Sequence, residues 1–592
     1  MDAMREQSEP QAEVITSELL DRLVLVPRQG TSPHSLLSAL RSVAPSLPVK
    51  RSTEGFSIPS ESAHELLEAD GAVRLLWRAD ARLFAENRAF ARAVHPTLRD
   101  RVEAIKSGGV VAAKALLGDL DNSEVLDGHQ LVNVAAMTLP ECYGLCVFDE
   151  QGAGKTVTLI FAFDLLVARD VIDIVLVLAP KSMVAEWPVD LFRFKGDLYK
   201  SAIVAGTYRE KRKALATEAD FFVTNFETAV SMESEILALV RRYRGRALLV
   251  VDESFYVKNL DAKRTRAVRR IREWCGRAYV LCGTPAPNSP HDLVQQFNVV
   301  DFGLTFAGVQ VPDDPIVAIG VVQQTVQERG VFVRHLKQNV LPDLPGKTFH
   351  RVLVQLEPEQ EQIYRALLED LIIEVRDVDE YLFQKELTSF LAKRNALLQV
   401  CSNPVAVVAG YQEVPSKLKA LDDIVKELAE RRREKVVIWS FYTVSLDAIF
   451  KRYAGLNPVR YDGSVTSVTK RRDAVRRFQE DDTTMLFVGN PAAAGAGLTL
   501  HRAKYAIYES LSNQAAHYFQ SVDRLHRRGQ ERDVEYIMLQ CDKTIEMKEY
   551  DRLANKEQAQ RLLLGDEQRL PITRESMLEE LLEAQRLLGV EE

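Results

Sequence analysis

Residues 149–156 read DEQGAGKT, and an apolar run, residues 157–168, follows them directly. Another apolar segment, residues 143–148, leads into the two glycines, and a helix-like pattern begins at Lys155 and Thr156. Glycines let backbone N–H groups approach an anion, and the first turn of a helix presents its positive end to that anion. The pattern predicts a nucleotide site in which Lys155 reaches the β- and γ-phosphates and the Thr156 hydroxyl holds Mg²⁺.

Residues 149–156 match the phosphate-loop pattern incompletely. Asp149 stands where the strict phosphate-loop pattern has a glycine. A glycine-rich turn before a core helix is the structural alternative for an isolated Gly-Lys-Thr, so other segments must decide.

Length and composition indicate a multidomain globular protein. The 592 residues are 46% hydrophobic and 27% charged, which is enough for several domains with cores of their own. The net charge of -8 gives no overall attraction to nucleic acid, so such binding would need local basic patches. Basic clusters occur at residues 211–213, 241–246, 263–272 and 470–472, although each alone is more typical of a solvated helix face.

The cysteines and the N-terminus predict an intracellular protein. The six cysteines form no paired CxxC ladder, and Cys142 and Cys146 lack nearby Cys or His partners, so we expect reduced core cysteines and no zinc site. Residues 1–13 are polar, and no apolar run is long enough to span a bilayer. We expect a soluble, cytoplasmic protein with no membrane partner.

Two blocks of the chain alternate apolar strands with helices, which is typical of parallel sheets with crossover helices. The first begins near Leu126 and the second near Ser416. Strand patterns in the second block cover residues 436–439, 459–461, 485–488 and 505–508, and a helical pattern covers residues 520–529. After the fourth strand of the first block, the strand pattern fades through residues 302–341. Two such blocks in tandem imply a cleft between them.

Asp252 and Glu253 follow a buried strand pattern at residues 247–251. Adjacent carboxylates at the carboxyl end of a parallel strand suit hydrolysis of a metal–nucleotide complex. Asp252 would bind Mg²⁺ through water, and Glu253 would orient and deprotonate the attacking water. An isolated pair is more often a turn, but its position downstream of a phosphate loop favours the catalytic interpretation.

Taken together, these segments resemble the SWI/SNF-type DNA translocases of helicase superfamily two. The resemblance covers residues 126–545. DEQGAGKT resembles that family's phosphate loop, DESFYVKN (252–259) its DEAH-box segment and QSVDRLHRRGQ (520–530) its last motif. Further similar segments are LCGTPAPN (281–288), VLPDLPGK (340–347), YDGSV (461–465) and GAGLTL (495–500).

The resemblance implies an α/β fold with two tandem RecA-like parallel-sheet lobes and helical protrusions between them. Ahead of these lobes, alternating strand and helix patterns up to about Val94 predict a small α+β N-terminal domain. The expected boundaries are 1–100 for the N-terminal accessory domain, 101–300 for the first ATP-binding lobe, 301–415 for the connecting segment and protrusions, 416–560 for the second lobe and 561–592 for a C-terminal helical tail.

The resemblance also implies a site for ATP and Mg²⁺. Gln130 would contact adenine, and the residues expected at the phosphates are Gly152, Ala153, Gly154, Lys155 and Thr156. Arg524 and Arg527, with Gln520 beside them, would reach the γ-phosphate from the second lobe. A guanidinium offers a rigid fork of donors that stabilises charge on the transferred phosphoryl group.

The resemblance also implies a nucleic-acid partner of the double-stranded DNA class, which would bind through its phosphates. The candidate contacts are Lys181, Ser182, Thr224 and Asn225 on the first lobe and Ser440, Gly463, Arg471, Gly497 and Thr499 on the second. Such groups hold phosphates without reading base sequence, so we expect sequence-tolerant and salt-sensitive binding.

Four positions depart from the family's pattern. Phe255 replaces the histidine of the DEAH-type box, Cys282 a threonine, Thr499 an asparagine, and Arg334-His335 a pair of arginines. None removes a group needed for hydrolysis, so these departures bear on coupling between ATP and DNA and not on ATP hydrolysis.

The leading hypothesis is therefore a nucleic-acid-dependent ATPase that translocates on duplex DNA. Two alternatives stay open: a helicase that separates strands on forks or RNA, and an ATP-gated clamp or scaffold that recruits a nuclease or repair partner. The N-terminal domain could bind a protein partner or only stabilise the chain.

Overall fold

Three β-sheets follow one another along the chain in the computed structural model. The structure describes residues 11–70, 73–118, 120, 123–283, 285–286, 289–312, 314–340, 344–465, 468–493, 498–511, 515–549 and 574–588. The first sheet is mixed and the other two are parallel throughout. The structure confirms the predicted α/β architecture of two parallel-sheet lobes after a small α+β domain.

The N-terminal sheet has five strands in the order β3-β4-β2-β1-β5. Its buried side chains form one apolar core with those of the helices that follow. The strands are β1 (Gln11–Thr16), β2 (Arg22–Pro27), β3 (Lys50–Ser52), β4 (Gly55–Pro59) and β5 (Arg74–Trp77), and the helices are α1 (Pro33–Val43), α2 (Ala63–Glu68) and α3 (Ala79–Leu117).

The second sheet, with its helices, is called lobe one. Its seven parallel strands lie in the order β12-β6-β11-β10-β7-β9-β8 and are almost entirely buried, as expected when helices cover both faces. The strands are β6 (Gly144–Val147), β7 (Ile174–Ala179), β8 (Ser201–Ile203), β9 (Phe221–Asn225), β10 (Ala247–Asp252), β11 (Arg277–Leu281) and β12 (Phe332–Val333). The helices are α4 (Gly128–Met137), α5 (Lys155–Ala168), α6 (Glu186–Lys195), α7 (Tyr208–Leu215), α8 (Phe226–Ser231), α9 (Glu233–Arg242), α10 (Lys263–Arg272), α11 (His291–Asp301), α12 (Pro315–Arg329) and α13 (Lys337–Val340).

The third sheet, with its helices, is called lobe two. Its six parallel strands lie in the order β13-β18-β17-β14-β16-β15. The strands are β13 (Lys347–Val354), β14 (Val436–Trp439), β15 (Val459–Tyr461), β16 (Leu486–Gly489), β17 (Tyr505–Tyr508) and β18 (Val534–Cys541). The helices are α14 (Pro358–Arg376), α15 (Glu380–Ser402), α16 (Ser416–Val425), α17 (Thr443–Arg452), α18 (Val468–Glu480), α19 (Ala515–Val522) and α20 (Arg574–Leu587). Helices α14, α15 and α20 share a separate apolar core beside the sheet.

The observed sheets cross the boundaries expected from the sequence. Strand β12 pairs with β6, so lobe one continues past residue 300 into the segment where the strand pattern fades. Strand β13 pairs with β18 along its whole length, so the sheet of lobe two begins before the helical protrusion and not at residue 416. Helix α3 runs through residue 100, with an interruption at Gly109, where φ is 56°. The first two differences share a cause: β12 has two residues and β13 is largely exposed, so neither carries a clear burial pattern.

The predicted helix over residues 520–529 is wrong beyond Val522. Helix α19 ends at Val522, and turns follow. The carbonyl of Val522 accepts a hydrogen bond from the Tyr536 hydroxyl at 2.6 Å, and the carbonyl of Arg524 accepts one from the backbone N–H of Leu500 at 2.9 Å. Both bonds join the end of α19 to other segments, although the Val522 carbonyl also accepts from the backbone N–H of His526 at 3.4 Å.

The N-terminal domain is held to lobe one through helix α10. The Arg269 guanidinium donates to the carbonyls of Leu19 and Leu20, both at 2.9 Å. Arg88 of α3 forms a buried ion pair with Glu273 at 2.9 Å. The basic cluster at residues 263–272 is thus partly structural, which agrees with a stabilising role for the N-terminal domain.

All six cysteines are buried free thiols. Burial raises the pKa of Cys142 to about 11 and that of Cys275 to about 12. Among the described helices, none has the length and apolar character needed to cross a membrane.

Candidate nucleotide-binding site

The carboxyl edge of the lobe-one sheet gathers the predicted nucleotide residues. Strands β6, β11, β10 and β7 are adjacent and parallel, so the loops that follow them emerge at one edge. The loop after β6 is the phosphate loop, and β10 ends at Asp252. The sheet topology therefore places Asp252 and Glu253 beside the phosphate loop.

The phosphate loop is tightly turned around the lysine side chain. Gly152 and Gly154 have φ values of 84° and 83°, in the left-handed region that favours glycine. The Nζ of Lys155 donates to the carbonyls of Asp149 at 2.9 Å and Glu150 at 3.3 Å. The ammonium is therefore folded into the loop, where a phosphate group would compete for the same protons.

Gln130 contacts the phosphate loop directly. Its Oε1 accepts from the backbone N–H of Asp127 at 2.9 Å, which caps helix α4, and its Nε2 donates to the carbonyl of Ala153 at 3.0 Å. A Cβ added to Gly154 would lie 2.1 Å from this Nε2. Both ends of the amide are engaged with protein atoms in this arrangement, and adenine contact by Gln130 stays a prediction.

Asp252 is a buried carboxylate with two donors. The indole N–H of Trp187 donates to its Oδ2 at 3.0 Å, and the backbone N–H of Glu253 donates to its Oδ1 at 3.0 Å. Burial, followed by the neighbouring charge of Glu253, raises the pKa of Asp252 to about 7, while the Lys155 ammonium acts to lower it. A carboxylate in this environment is stabilised in its ionised form by a cation, and carboxylate and hydroxyl oxygens are ligands that Mg²⁺ prefers.

Glu253 has one engaged and one open oxygen. Its backbone is left-handed, with φ of 51°, and its side chain is buried. The Nε2 of Gln151 donates to Oε1 at 2.7 Å, whereas Oε2 is buried and has no hydrogen-bond partner among the described residues. The carboxylate is thus held at one oxygen, while the other makes no hydrogen bond to the described residues. The sequence did not single out Gln151 or Trp187, because only the folded chain brings them to these carboxylates.

The segment after Glu253 reaches helix α11 without the usual histidine. Phe255 packs against Tyr256, with ring centroids 4.7 Å apart. Ser254 donates to the Oε1 of Gln296 at 2.5 Å, and the Nε2 of Gln296 donates to the carbonyl of Pro285. A polar link from the carboxylate segment to the Gly-Thr-Pro segment therefore exists, one residue before Phe255.

The segment 334–337 is attached to the start of the phosphate loop. His335 Nδ1 lies 2.9 Å from the Oδ1 of buried Asp149, whose Oδ2 accepts from Asn133 at 2.6 Å. The backbone N–H of Lys337 donates to the Glu150 carboxylate at 2.8 Å. The departure from paired arginines therefore places a histidine against the phosphate loop.

The predicted DNA contacts of lobe one differ in exposure. Lys181 is exposed and Ser182 half-buried after β7. Thr224 is buried and its hydroxyl donates to the carbonyl of Val204 at 2.8 Å, while the Asn225 side chain caps α8 by accepting from the Thr228 N–H at 2.8 Å. Lys181 is therefore the best exposed of the four for a phosphate contact.

The predicted DNA contacts of lobe two are largely turned inward. Ser440 is buried, and its hydroxyl donates to the Glu509 carboxylate at 2.7 Å. Arg471 donates to the carbonyls of Val465 at 2.6 Å and Asp462 at 3.1 Å, so it braces the loop that contains exposed Gly463. The hydroxyl of Ser440 is thus not presented to a ligand in this arrangement.

The last predicted motif lies at the glycine loop of lobe two. Arg527 is half-buried and donates to the Thr499 hydroxyl at 3.0 Å. Arg524 and Gln520 are buried, with 3% and 6% of their surface exposed. Gly497 lies outside the described residues. Lobe two therefore brings Arg527 and Thr499 together.

Comparisons with known proteins agree with this arrangement. Residues 129–406 match the SNF2-related domain, and residues 416–529 match the helicase conserved C-terminal domain. The two matches take in about two thirds of the chain, in the order of its two lobes, and the chain belongs to the SWI2/SNF2 family of helicase superfamily two.

Similar curated proteins come from eukaryotes and bacteria. The ISWI chromatin-remodeling complex ATPase ISW1 of Saccharomyces cerevisiae is 25% identical over 448 residues, which cover 70% of this chain and 38% of that protein. An uncharacterized ATP-dependent helicase of Mycoplasma pneumoniae is 25% identical over 415 residues, covering 68% of this chain and 38% of that protein. The chain thus matches less than half the length of these relatives.

Among solved structures, the Sulfolobus solfataricus SWI2/SNF2 ATPase core in complex with dsDNA is similar at 22% identity. The match covers 73% of this chain and 91% of the Sulfolobus chain, with a TM-score of 0.34.

Proposed function

We propose that this chain is an ATP hydrolase that translocates along double-stranded DNA and so moves or remodels DNA–protein complexes. The observation that carries the proposal is the lobe-one cluster: a folded-in Lys155, a buried Asp252 and a Glu253 with one open oxygen, at the carboxyl edge of a parallel sheet. Family membership and relatives named as chromatin-remodeling ATPases and ATP-dependent helicases support it.

The residues of lobe one are assigned separate roles in phosphate binding, metal binding and proton transfer. Lys155 releases its two carbonyl contacts and binds the β- and γ-phosphates, while the backbone N–H groups of residues 152–154 surround them. Glu253 accepts a proton from the attacking water at Oε2. Thr156 and Asp252 would hold Mg²⁺, which neutralises charge that develops on the phosphates. Arg524 and Arg527, with Gln520, are assigned to the transferred phosphoryl group.

The proposed interface binds DNA through its phosphate groups. Exposed Lys181 and the loop at Gly463 are the positions best suited to phosphate oxygens, and the contacts carry no base-reading side chains. Binding should therefore fall steeply with salt and vary little with base sequence. A protein partner for the N-terminal domain stays a prediction.

The substrate class can be tested by ATPase assays on the intact chain. We expect duplex DNA to stimulate hydrolysis more than single-stranded DNA or RNA, and we expect displacement of a triplex-forming strand that requires ATP. Stimulation by RNA alone would reject the DNA assignment. The variant Glu253→Gln, which should bind ATP without turnover, controls for displacement caused by binding alone.

A strand-separating helicase is the second candidate, favoured by the relative that is named an ATP-dependent helicase. Displacement of a labelled strand from a fork without displacement of a triplex strand would select it over translocation on duplexes. An ATP-gated clamp would show its biological output in the Glu253→Gln variant and lose it in Lys155→Ala.

A further inference from the structure

Gln151 lies inside the phosphate loop, but its amide binds a residue of another segment. The residue is 7% exposed, and its Nε2 donates to Oε1 of Glu253 at 2.7 Å, across 102 positions of sequence. It therefore connects the loop that would hold the phosphates to the carboxylate that would activate water.

The geometry of Glu253 explains why such a contact matters. A left-handed backbone at a non-glycine residue is strained and persists only where the surroundings hold it. The side chain is 2% exposed, and among the described residues Oε2 has no hydrogen-bond partner. Because Gln151 holds one of the two equivalent carboxylate oxygens, this hydrogen bond fixes the plane of the carboxyl group and with it the direction of the other oxygen.

A third segment leaves space for the Gln151 side chain. A Cβ built on Gly283, just after β11, would lie 2.8 Å from Cγ of Gln151 and 2.9 Å from its backbone nitrogen. The absence of a side chain at position 283 thus permits Gln151 to reach Glu253. The phosphate loop, the carboxylate pair and the Gly-Thr-Pro segment meet at one amide.

We propose that Gln151 is a positioning residue that orients the Glu253 carboxylate, so that Oε2 faces the attacking water while Oε1 is held. Its side-chain amide donates to Glu253, and the proposed role is exerted through that carboxylate. The inference rests on the proposed function, since the orientation of Glu253 affects turnover only if Glu253 is the base.

The test is the variant Gln151→Met, which keeps an unbranched side chain of similar length and removes the amide. We expect the single-turnover rate of ATP hydrolysis with duplex DNA to fall about 10- to 100-fold, because misplacement of a catalytic group by about 1 Å costs on that order. The Kd of a fluorescent ATP analogue should change less than about twofold, since no phosphate contact is lost.

The matched control is Gln360→Met. Gln360 is also a buried glutamine, its Nε2 donates to the carbonyl of Val400 at 2.7 Å, and it lies in helix α14 of lobe two. Its loss should lower thermal stability and leave the hydrolysis rate of the folded protein unchanged. A similar rate loss in both variants would assign the effect to stability and overturn the proposal.

A double-mutant cycle isolates the action through Glu253. In the Glu253→Gln background, Gln151→Met should lower the residual rate by less than about twofold. A full additional loss there, or an equal weakening of ATP binding and hydrolysis in Gln151→Met, would show that Gln151 only shapes the phosphate loop. If the wild-type chain does not hydrolyse ATP, the proposed function fails; if it does and Gln151→Met is fully active, only the positioning role fails.

Discussion

The carboxyl edges of the two parallel sheets use their polar side chains differently. In lobe one, Glu253 keeps an oxygen without a partner among the described residues, and the Lys155 ammonium donates to two carbonyls of its own loop. In lobe two, Ser402 and Ser440 donate to Glu509, at 2.6 and 2.7 Å. The first edge therefore leaves a carboxylate oxygen unengaged, whereas in the second edge the carboxylate of Glu509 is held by two hydroxyl groups.

Arg527 is the strongest test of whether lobe two also contributes chemistry. We expect Arg527→Ala to lower kcat by about 10³- to 10⁵-fold with little change in ATP affinity, as for arginines that stabilise a transferred phosphoryl group. Stopped-flow phosphate release with duplex DNA measures it. The adjacent exposed residue gives the control Arg528→Ala, expected to stay within about twofold of wild type. Equal changes of kcat in the two variants would indicate that Arg527 has no specific role in hydrolysis and that lobe two serves only DNA binding and structure.

Lys417 tests the structural nature of the lobe-two network. It is fully buried, donates to the carbonyl of Glu509 at 2.6 Å and pairs with the Glu546 carboxylate. Lys417→Met should destabilise lobe two by about 3 to 5 kcal/mol, because it leaves a buried carboxylate unpaired. Urea unfolding would show this. Lys419→Met removes a half-exposed lysine two residues away and should cost at most about 1 kcal/mol. Equal costs would contradict the network.

Asp252 should make the nucleotide-free lobe one less stable as pH rises. The pKa of Asp252 in the folded chain is about 7, above the ordinary value of 3.8. The folded chain therefore holds the carboxyl proton more tightly than the unfolded chain, and this difference stabilises the fold below about pH 4. The stabilisation is lost as the pH rises to about 7. We expect the melting midpoint to fall by several degrees over this range, at about 2 to 4 °C per kcal/mol. Asp252→Asn should flatten that part of the profile. An unchanged slope in the variant would assign the dependence to other groups.

Lys181 should have the smallest effect of these residues. Lys181→Ala should weaken duplex binding a few-fold for all sequences and reduce the slope of log affinity against log salt by about one. Fluorescence anisotropy at several salt concentrations measures this. Lys50→Ala, at an exposed lysine of β3, should leave both quantities unchanged. A loss confined to one DNA sequence would instead indicate base reading.

The buried strands were predictable because their apolar runs have clear ends. Strands β14, β15 and β17 begin and end where the sequence predicts, and the phosphate loop and the Asp252–Glu253 pair lie at the predicted edge. Strand β13 was missed because its side chains are mostly exposed, so its position depends on pairing with β18.

The contacts within the site were less predictable than its members. Nothing local in the sequence distinguishes Gln151 from a surface glutamine in a turn, and its partner lies far along the chain. Ser440 follows a strand in the expected place, yet its hydroxyl donates a hydrogen bond to Glu509, which the sequence pattern does not reveal. Such roles depend on tertiary packing, which residue spacing does not specify.

The most direct test of the central claim is single-turnover hydrolysis of ATP by the intact chain in the presence of duplex DNA. We predict DNA-stimulated hydrolysis that falls about 10²- to 10⁴-fold in Glu253→Gln, with the ATP analogue still bound at wild-type affinity. Hydrolysis by Glu253→Gln at the wild-type rate, or no hydrolysis by the wild-type chain with any nucleic acid, would contradict it.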